Sequence, residues 1–207
     1  MTRANLQLAD YPADGRPLVQ DLEKVAAPLS ALLTMELDGA AEVLELTTDE
    51  ILLAALGRAI ERTIGNGAVS VDVPAYGTSV HPVALSCATP AQVDADEMLA
   101  GVHHALDALA GHRIVHGVPD DPRAQPVSDV LFANGGSAAT RSHLGHLLEL
   151  RAYRQGDAIA LDWWFDARSF EPYTVTELAE QFPLALIELT SEATPPIHAT
   201  TQLALAH

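Results

Sequence analysis

Apolar and polar residues recur with two different periods along this chain, and the change of period divides it into elements. Between residues 48 and 64, Ile51, Leu52, Ala55, Leu56, Ala59 and Ile60 fall at helical spacing, which predicts an amphipathic helix. Thr47 or Thr48 can cap it, Asp49 and Glu50 face the positive end of its dipole, and Gly65-Asn66-Gly67 stops it. The period then becomes two: Val69, Val71 and Val73 alternate with polar residues, as in a half-buried strand. Val80 to Cys87 is a second apolar run. Pro82 has no N–H to give to a ladder, so this run belongs at a sheet edge or at a strand start.

Thr89-Pro90 followed by Asp94, Asp96 and Glu97 opens a further helix, which runs to about Ala110. Gly111 through Gln125 is loop-like. Val127 to Ala133 predicts a buried strand that ends at Asn134-Gly135-Gly136. Leu147 to Tyr153 and Ala158 to Phe165 flank Gln155-Gly156-Asp157, a hairpin turn signal. Thr174 with Glu177 three residues on reads as a capping box for a final helix, which kinks or restarts at Pro183.

The first part of the chain gives weaker signals. Residues 1 to about 24 are polar and turn-rich and read as a lead-in or linker. The stretch from Lys24 to Thr34 is mixed, with Pro28 at a plausible first helical turn. Thr34 to Asp38 alternates weakly and reads as a strand or a short connection. Residues 25–192 then form one domain, and 193–207 a flexible tail. There is no internal repeat. The resulting order, helix-strand-strand-helix-strand-strand-strand-helix, predicts an α/β fold of the α+β two-layer kind. It has a mixed, mostly antiparallel sheet with helices on one face.

Composition narrows the function. Apolar residues make up 48 % of the 207, enough for a sizeable core. No apolar run approaches the ~20 residues that span a bilayer, and Met1-Thr2-Arg3-Ala4-Asn5 carries no hydrophobic signal core. A cytoplasmic location is the expectation. The net charge of −17 sets 28 acids against 11 bases, which disfavours nucleic acid and anionic membranes as partners. A lone Cys87 excludes a disulfide framework or a cysteine-rich zinc site.

The order of the pieces resembles the C-terminal half of the condensation domains of nonribosomal peptide synthetases, which have a chloramphenicol-acetyltransferase-like fold. Tyr11-Pro12-Ala13-Asp14 resembles the family's Leu-Pro-x-Asp stretch between the two halves of the domain. Thr48 to Ile60 resembles its helix of the Asp-x-Leu-Leu-Ala-Ala-Leu kind. Val69 to Gly77 resembles the strand ending in His-Gly-Arg, with Tyr76, Gly77 and Thr78 in those places, and Pro82-Val83 resembles the start of the next strand. Val130 to Gly136, with Asn134, resembles a strand close to Phe-Asn-Tyr-Leu-Gly, and Ala158 to Phe165 and Thr174 to Leu189 resemble the closing strand and helix. The resemblance places Tyr76, Gly77, Thr78 and Asn134 at the substrate channel or its turn. It implies secondary-metabolite biosynthesis, with phosphopantetheine thioesters on carrier proteins, or a coenzyme A thioester, as substrate arms. No bound cofactor is implied.

The departures are as specific. The family's catalytic His-His-x-x-x-Asp-Gly motif belongs to the other half. Thr78 stands where Arg is usual, and the stretch before Pro82-Val83 is short. His103-His104-Ala105-Leu106-Asp107 imitates the motif, but only two residues separate His104 from Asp107, and Ala108 replaces Gly. These histidines fall inside a predicted helix, not on a loop where a base could reach an attacking amine.

His112 and His116 are four apart, and His143, His146 and Glu149 are three apart in turn, but both sets fall where helical spacing is not expected. No metal site is predicted. Ser137 and Ser142-His143 lack a Gly-x-Ser-x-Gly elbow, and Asn134-Gly135-Gly136 lacks the Lys of a phosphate loop. Cys87 reads as a buried, inert thiol. Trp163 and Trp164 alternate across a strand, so one ring should enter the core and the other is a candidate partner contact.

Three functions follow. The first is a partner or binding half that pairs with an N-terminal condensation half, or with a second copy of itself, and is inactive alone; a carrier protein is a further partner. The second is a complete acyltransferase with its site at a homo-oligomer interface, where His81, His104 or His143 would supply the base. The third is a structural protein without activity.

Overall fold

A computed structural model of the chain describes residues 6–74, 80–87, 93–109, 127–135 and 145–196. After a short 3-10 turn at Val19–Asp21 the elements are β1 (Leu22–Ala26), α1 (Ala31–Leu44), α2 (Thr48–Thr63), β2 (Gly67–Pro74), β3 (Val80–Cys87), α3 (Ala95–Asp107), β4 (Val130–Asn134), β5 (Leu148–Gln155), β6 (Ala158–Asp166) and α4 (Pro172–Glu192). The strands form one six-stranded sheet in the order β1-β6-β5-β4-β2-β3. β2–β4 and β4–β5 are parallel; the other three pairings are antiparallel. The mixed α/β sheet with helices packed on it is the predicted architecture. β3 lies at the sheet edge, the place expected for a strand that carries Pro82. Gly156 takes φ 61°, the left-handed conformation that a two-residue turn between β5 and β6 requires.

The core lies between the sheet and the helices. Val71 and Val73 of β2, Val130 and Phe132 of β4, Leu148 and Leu150 of β5 and Leu161 and Trp163 of β6 point into it. α2 is its centre, buried without a break from Glu50 to Ile60, and packs against α4, α3 and α1. The Thr47 hydroxyl accepts from Glu50 N–H at 3.3 Å, while the Glu50 carboxylate accepts from Thr47 N–H. This reciprocal cap fixes where α2 starts. Asp94 caps α3 in the same way, accepting from Glu97 N–H at 2.8 Å.

The structure adds two elements to the predicted order and moves one boundary. Thr34 to Asp38 is neither strand nor connection but the middle of α1, which Ser30 caps by accepting from Leu33 N–H at 3.1 Å. Leu33, Leu37 and Leu44 face the core. β1 is also additional: it pairs with β6 through Leu22 opposite Asp166 and Ala26 opposite Asp162. Part of the lead-in therefore packs on the fold. Leu6 N–H donates to Ala68 O at 3.0 Å, Tyr11 N–H to Ser169 O at 3.1 Å, and Leu8 is buried.

α4 begins two residues before Thr174, at Pro172, whose fixed φ and missing N–H suit a first helical turn. Thr174 is thus inside the helix, with no capping box. Pro183 does not end α4, because core contacts on both sides of it, from Phe182 and Ala185 to Leu189, hold the helix in one piece. Of the predicted tail, 193–196 are described: Ala193 N–H bonds Leu189 O, and Thr194 N–H bonds Asp96 Oδ1 at 2.7 Å. Residues 197–207 lie outside the described part.

Candidate functional site at the strand ends and the buried cluster beneath

β2 and β4 run parallel, so their carboxyl ends, Pro74 and Asn134, open on the same sheet edge. In open sheets of this kind the carboxyl ends of parallel strands are where ligands gather. Tyr76, Gly77 and Thr78 follow β2 but lie outside the described residues. Asn134 is described, and its Nδ2 donates to Asp49 Oδ1 in the first turn of α2. The next residue, Glu50, turns the other way: its Oε1 lies 2.7 Å from His103 Nδ1 on α3. The N-terminal turn of α2 therefore ties the end of β4 to α3 through two adjacent carboxylates.

The candidate histidines are dispersed. His104 sits on the exposed face of α3, its ring 5.9 Å from that of His103. His81 lies on β3 with its backbone opposite Val73, and its side chain is outside the described part, as is the whole of His143. Asp107, the last residue of α3, is solvent-facing, so the His103-to-Asp107 stretch forms a plain helix end.

A second constellation, not foreseen from sequence as a unit, is buried on the sheet face opposite the helices. Asp72 Oδ2 accepts from His146 Nε2 at 2.9 Å, Val127 N–H at 2.7 Å and Ser128 N–H at 3.1 Å. His146 Nδ1 lies 3.9 Å from Glu149 Oε1, and Glu149 Oε2 accepts from Arg151 Nη2 at 2.8 Å. Burial pushes the Asp72 carboxyl up, but the hydrogen bonds from His146, Ser128 and Val127 outweigh it and hold the group below the ordinary carboxylate value. Ionised Asp72 can only accept, so Nε2 of His146 carries the proton between them. Both side chains are sealed from solvent. A base needs to reach the proton it removes, so in this structure the pair braces β2 against the entry to β5. Among the described residues no three of His, Cys, Asp or Glu are placed to hold a metal ion.

Of the two tryptophans, Trp163 is not a partner contact. Its ring is fully buried and meets Phe182 edge-on, with centroids 5.6 Å apart. The period-two alternation sends Trp164 to the other face, half-buried, with Lys24 Nζ 5.4 Å from its ring centroid.

No family model matches the chain. It is similar to solved structures over most of its length. It covers 52 % of the epimerization domain from the third module of tyrocidine synthetase B, with a TM-score of 0.65, 14 % identity and 92 % of this chain matched. It also covers 52 % of the condensation domain from the monacolin K polyketide synthase MokA, with a TM-score of 0.61, 13 % identity and 90 % of this chain matched. The chain has the fold of one half of a condensation domain.

Among curated proteins, this half-domain is 30 % identical to a phenolphthiocerol/phthiocerol polyketide synthase component of Mycobacterium tuberculosis, over 95 % of the chain but 16 % of that relative. The alignment runs to 249 positions against the 207 residues here, so the relative carries insertions without a counterpart in this chain. These matched proteins are parts of polyketide synthases and of a peptide synthetase. No described helix is long and apolar enough to cross a membrane.

Proposed function

We propose that this chain is the C-terminal half of a condensation-type domain of a cytoplasmic assembly line. It works as the partner wall for an N-terminal half that carries the His-His-x-x-x-Asp-Gly motif, and it has no condensing activity alone. The observation that supports this most is coverage: nine-tenths of the chain superposes on about half of each condensation-type domain. The order of its pieces, from Tyr11-Pro12-Ala13-Asp14 to the closing helix, favours the C-terminal half.

The chemistry agrees. Amide or ester formation from a carrier-bound thioester needs a group that exchanges a proton with the attacking nucleophile. His146 is sealed beside Asp72, His103 is held by Glu50 between two helices, and His104 points from the outer face of α3. In this reading the base comes from the partner half, and the substrate arms are phosphopantetheine thioesters of carrier proteins or a coenzyme A thioester.

The test is to assay the purified chain for product from carrier-bound acyl and aminoacyl thioesters, alone and with an N-terminal half bearing the motif. Inactivity alone and turnover in the mixture are expected. Turnover by the chain alone would overturn the reading, and would turn attention to a homo-oligomer with His81, His104 or His143 at its seam.

A further inference from the structure

Asp72 and Glu149 stand on either side of Leu131 in the sheet, on the face away from the helices. Two strand spacings separate them, roughly 10 Å at the usual 4.7–4.9 Å each. The His146 ring lies in that gap and does not close it. Its Nε2 is 2.9 Å from Asp72 Oδ2, but its Nδ1 stops 3.9 Å from Glu149 Oε1, too far for a hydrogen bond.

Every group in this cluster is sealed. The side chains of Asp72 and His146 are not exposed at all, and those of Glu149 and Arg151 are 3 % and 9 % exposed. Buried polar atoms normally have a hydrogen-bond partner. Among the described residues His146 Nδ1 has none, and neither do Asp72 Oδ1 and Arg151 Nε. Glu149 is held from its other side, where Oε2 accepts from Arg151 Nη2 at 2.8 Å. Nδ1 and Oε1 therefore face each other, buried, with no bond between them.

The donor and acceptor inventory decides what fits there. Nε2 gives its proton to Asp72, so a neutral ring presents a lone pair at Nδ1 and a charged ring presents an N–H. The Glu149 carboxylate can only accept. The neutral ring then needs a ligand that donates twice; the charged ring needs one that accepts from Nδ1 and donates to Oε1. Water serves both states, whereas an ammonium ion has no lone pair to accept with. We infer that one water molecule is bound between His146 Nδ1 and Glu149 Oε1, at ordinary hydrogen-bond length from each. It completes a polar bridge that runs from Asp72 on β2, over Leu131, to Glu149 and Arg151 on β5. A buried water held by such bonds is part of a fold and costly to remove. All its partners belong to this chain, so the site does not depend on an N-terminal half.

The test uses the whole chain. In the parent, NMR should give a cross-relaxation peak between the ring Hε1 of His146 and water. Relaxation dispersion of the water oxygen should count about one more long-lived water than in a variant that combines Glu149→Leu with Arg151→Leu. That variant removes the buried ion pair as a unit, so no charge is orphaned, and it leaves the bond between Asp72 and His146 in place. Glu180→Gln, on the exposed face of α4, should leave the count unchanged. Equal counts in the parent and the double variant would overturn the assignment. So would a crystal structure with Nδ1 bonded directly to Glu149 and no water beside them. If the double variant does not fold, the peak in the parent decides, and its absence rules the water out.

Discussion

The imidazole of His146 and the carboxylate of Asp72, 74 positions apart in sequence, meet at 2.9 Å with neither side chain reached by solvent. Removing one partner of such a pair leaves the other buried without its bond. Asp72→Ala is therefore expected to cost about 3–5 kcal/mol of folding stability, read as a lower urea midpoint at unchanged slope. Asp72→Ala combined with His146→Leu should recover part of that loss, because the orphaned imidazole is then gone.

The same pair sets an acid limit. Asp72 is held below its ordinary value of 3.8 in the folded chain. A depressed carboxyl contributes stability that is complete above the unfolded-state value and is lost as pH falls through the folded one. Stability should therefore decline below about pH 4, and Asp72→Asn should flatten that decline. Urea unfolding measured across acidic pH checks it; an unchanged slope in Asp72→Asn would remove Asp72 from the account.

Arg58 is a buried cation that joins three elements. It is 2 % exposed, with Nη1 2.7 Å from Glu61 and Nε 3.2 Å from Glu188 of α4, and Nη2 donates to Val93 O ahead of α3. Lysine has one ammonium and cannot reach all three acceptors. Arg58→Lys should cost about 2 kcal/mol and Arg58→Ala about 3–5 kcal/mol, with the difference seen in thermal unfolding. Equal midpoints for the two variants would show that the fork geometry contributes nothing.

What could be read from the sequence follows from how local each signal is. Thr47 and Glu50 cap α2 from three residues apart, and Val69, Val71 and Val73 alternate within one strand, so both were visible without tertiary knowledge. α1 was hidden because Leu33, Met35 and Leu37 imitate a period of two, while Leu32, Met35 and Val43 stay exposed and blur its inward stripe. β1 has no pattern of its own; it exists through its pairing with β6. The half-condensation fold was legible from the order of degenerate pieces, none of which carries it alone. The Asp72 pairing was not legible. A polar residue alternating with valines normally faces water, and only the chain's return through Val127, Ser128 and His146 buries it.

Adjacent tryptophans should behave differently. Trp163→Ala removes a fully buried ring that packs on Phe182 and is expected to cost about 3–5 kcal/mol. Trp163→Phe should cost much less, because the buried indole N–H has no hydrogen-bond partner among the described residues and none is lost with it. Lys24→Met removes both the cation over Trp164 and the 3.2 Å ion pair to the nearly buried Asp162, and should cost about 1–3 kcal/mol. Denaturant midpoints of the three variants, compared with the parent, give the order.

His103 and His104 give the sharpest contrast between neighbours. One imidazole is tied to Glu50 at 2.7 Å; the other faces solvent from the next position of the same helix. His104→Ala should leave stability within about 0.5 kcal/mol of the parent. His103→Ala removes a charge-assisted bond to a nearly buried carboxylate and should cost about 1–2 kcal/mol. Glu50→Ala should cost more than His103→Ala, since the reciprocal cap on Thr47 disappears with the histidine contact. If His103→Ala and His104→Ala unfold at the same denaturant concentration, Glu50 is not holding His103 in solution.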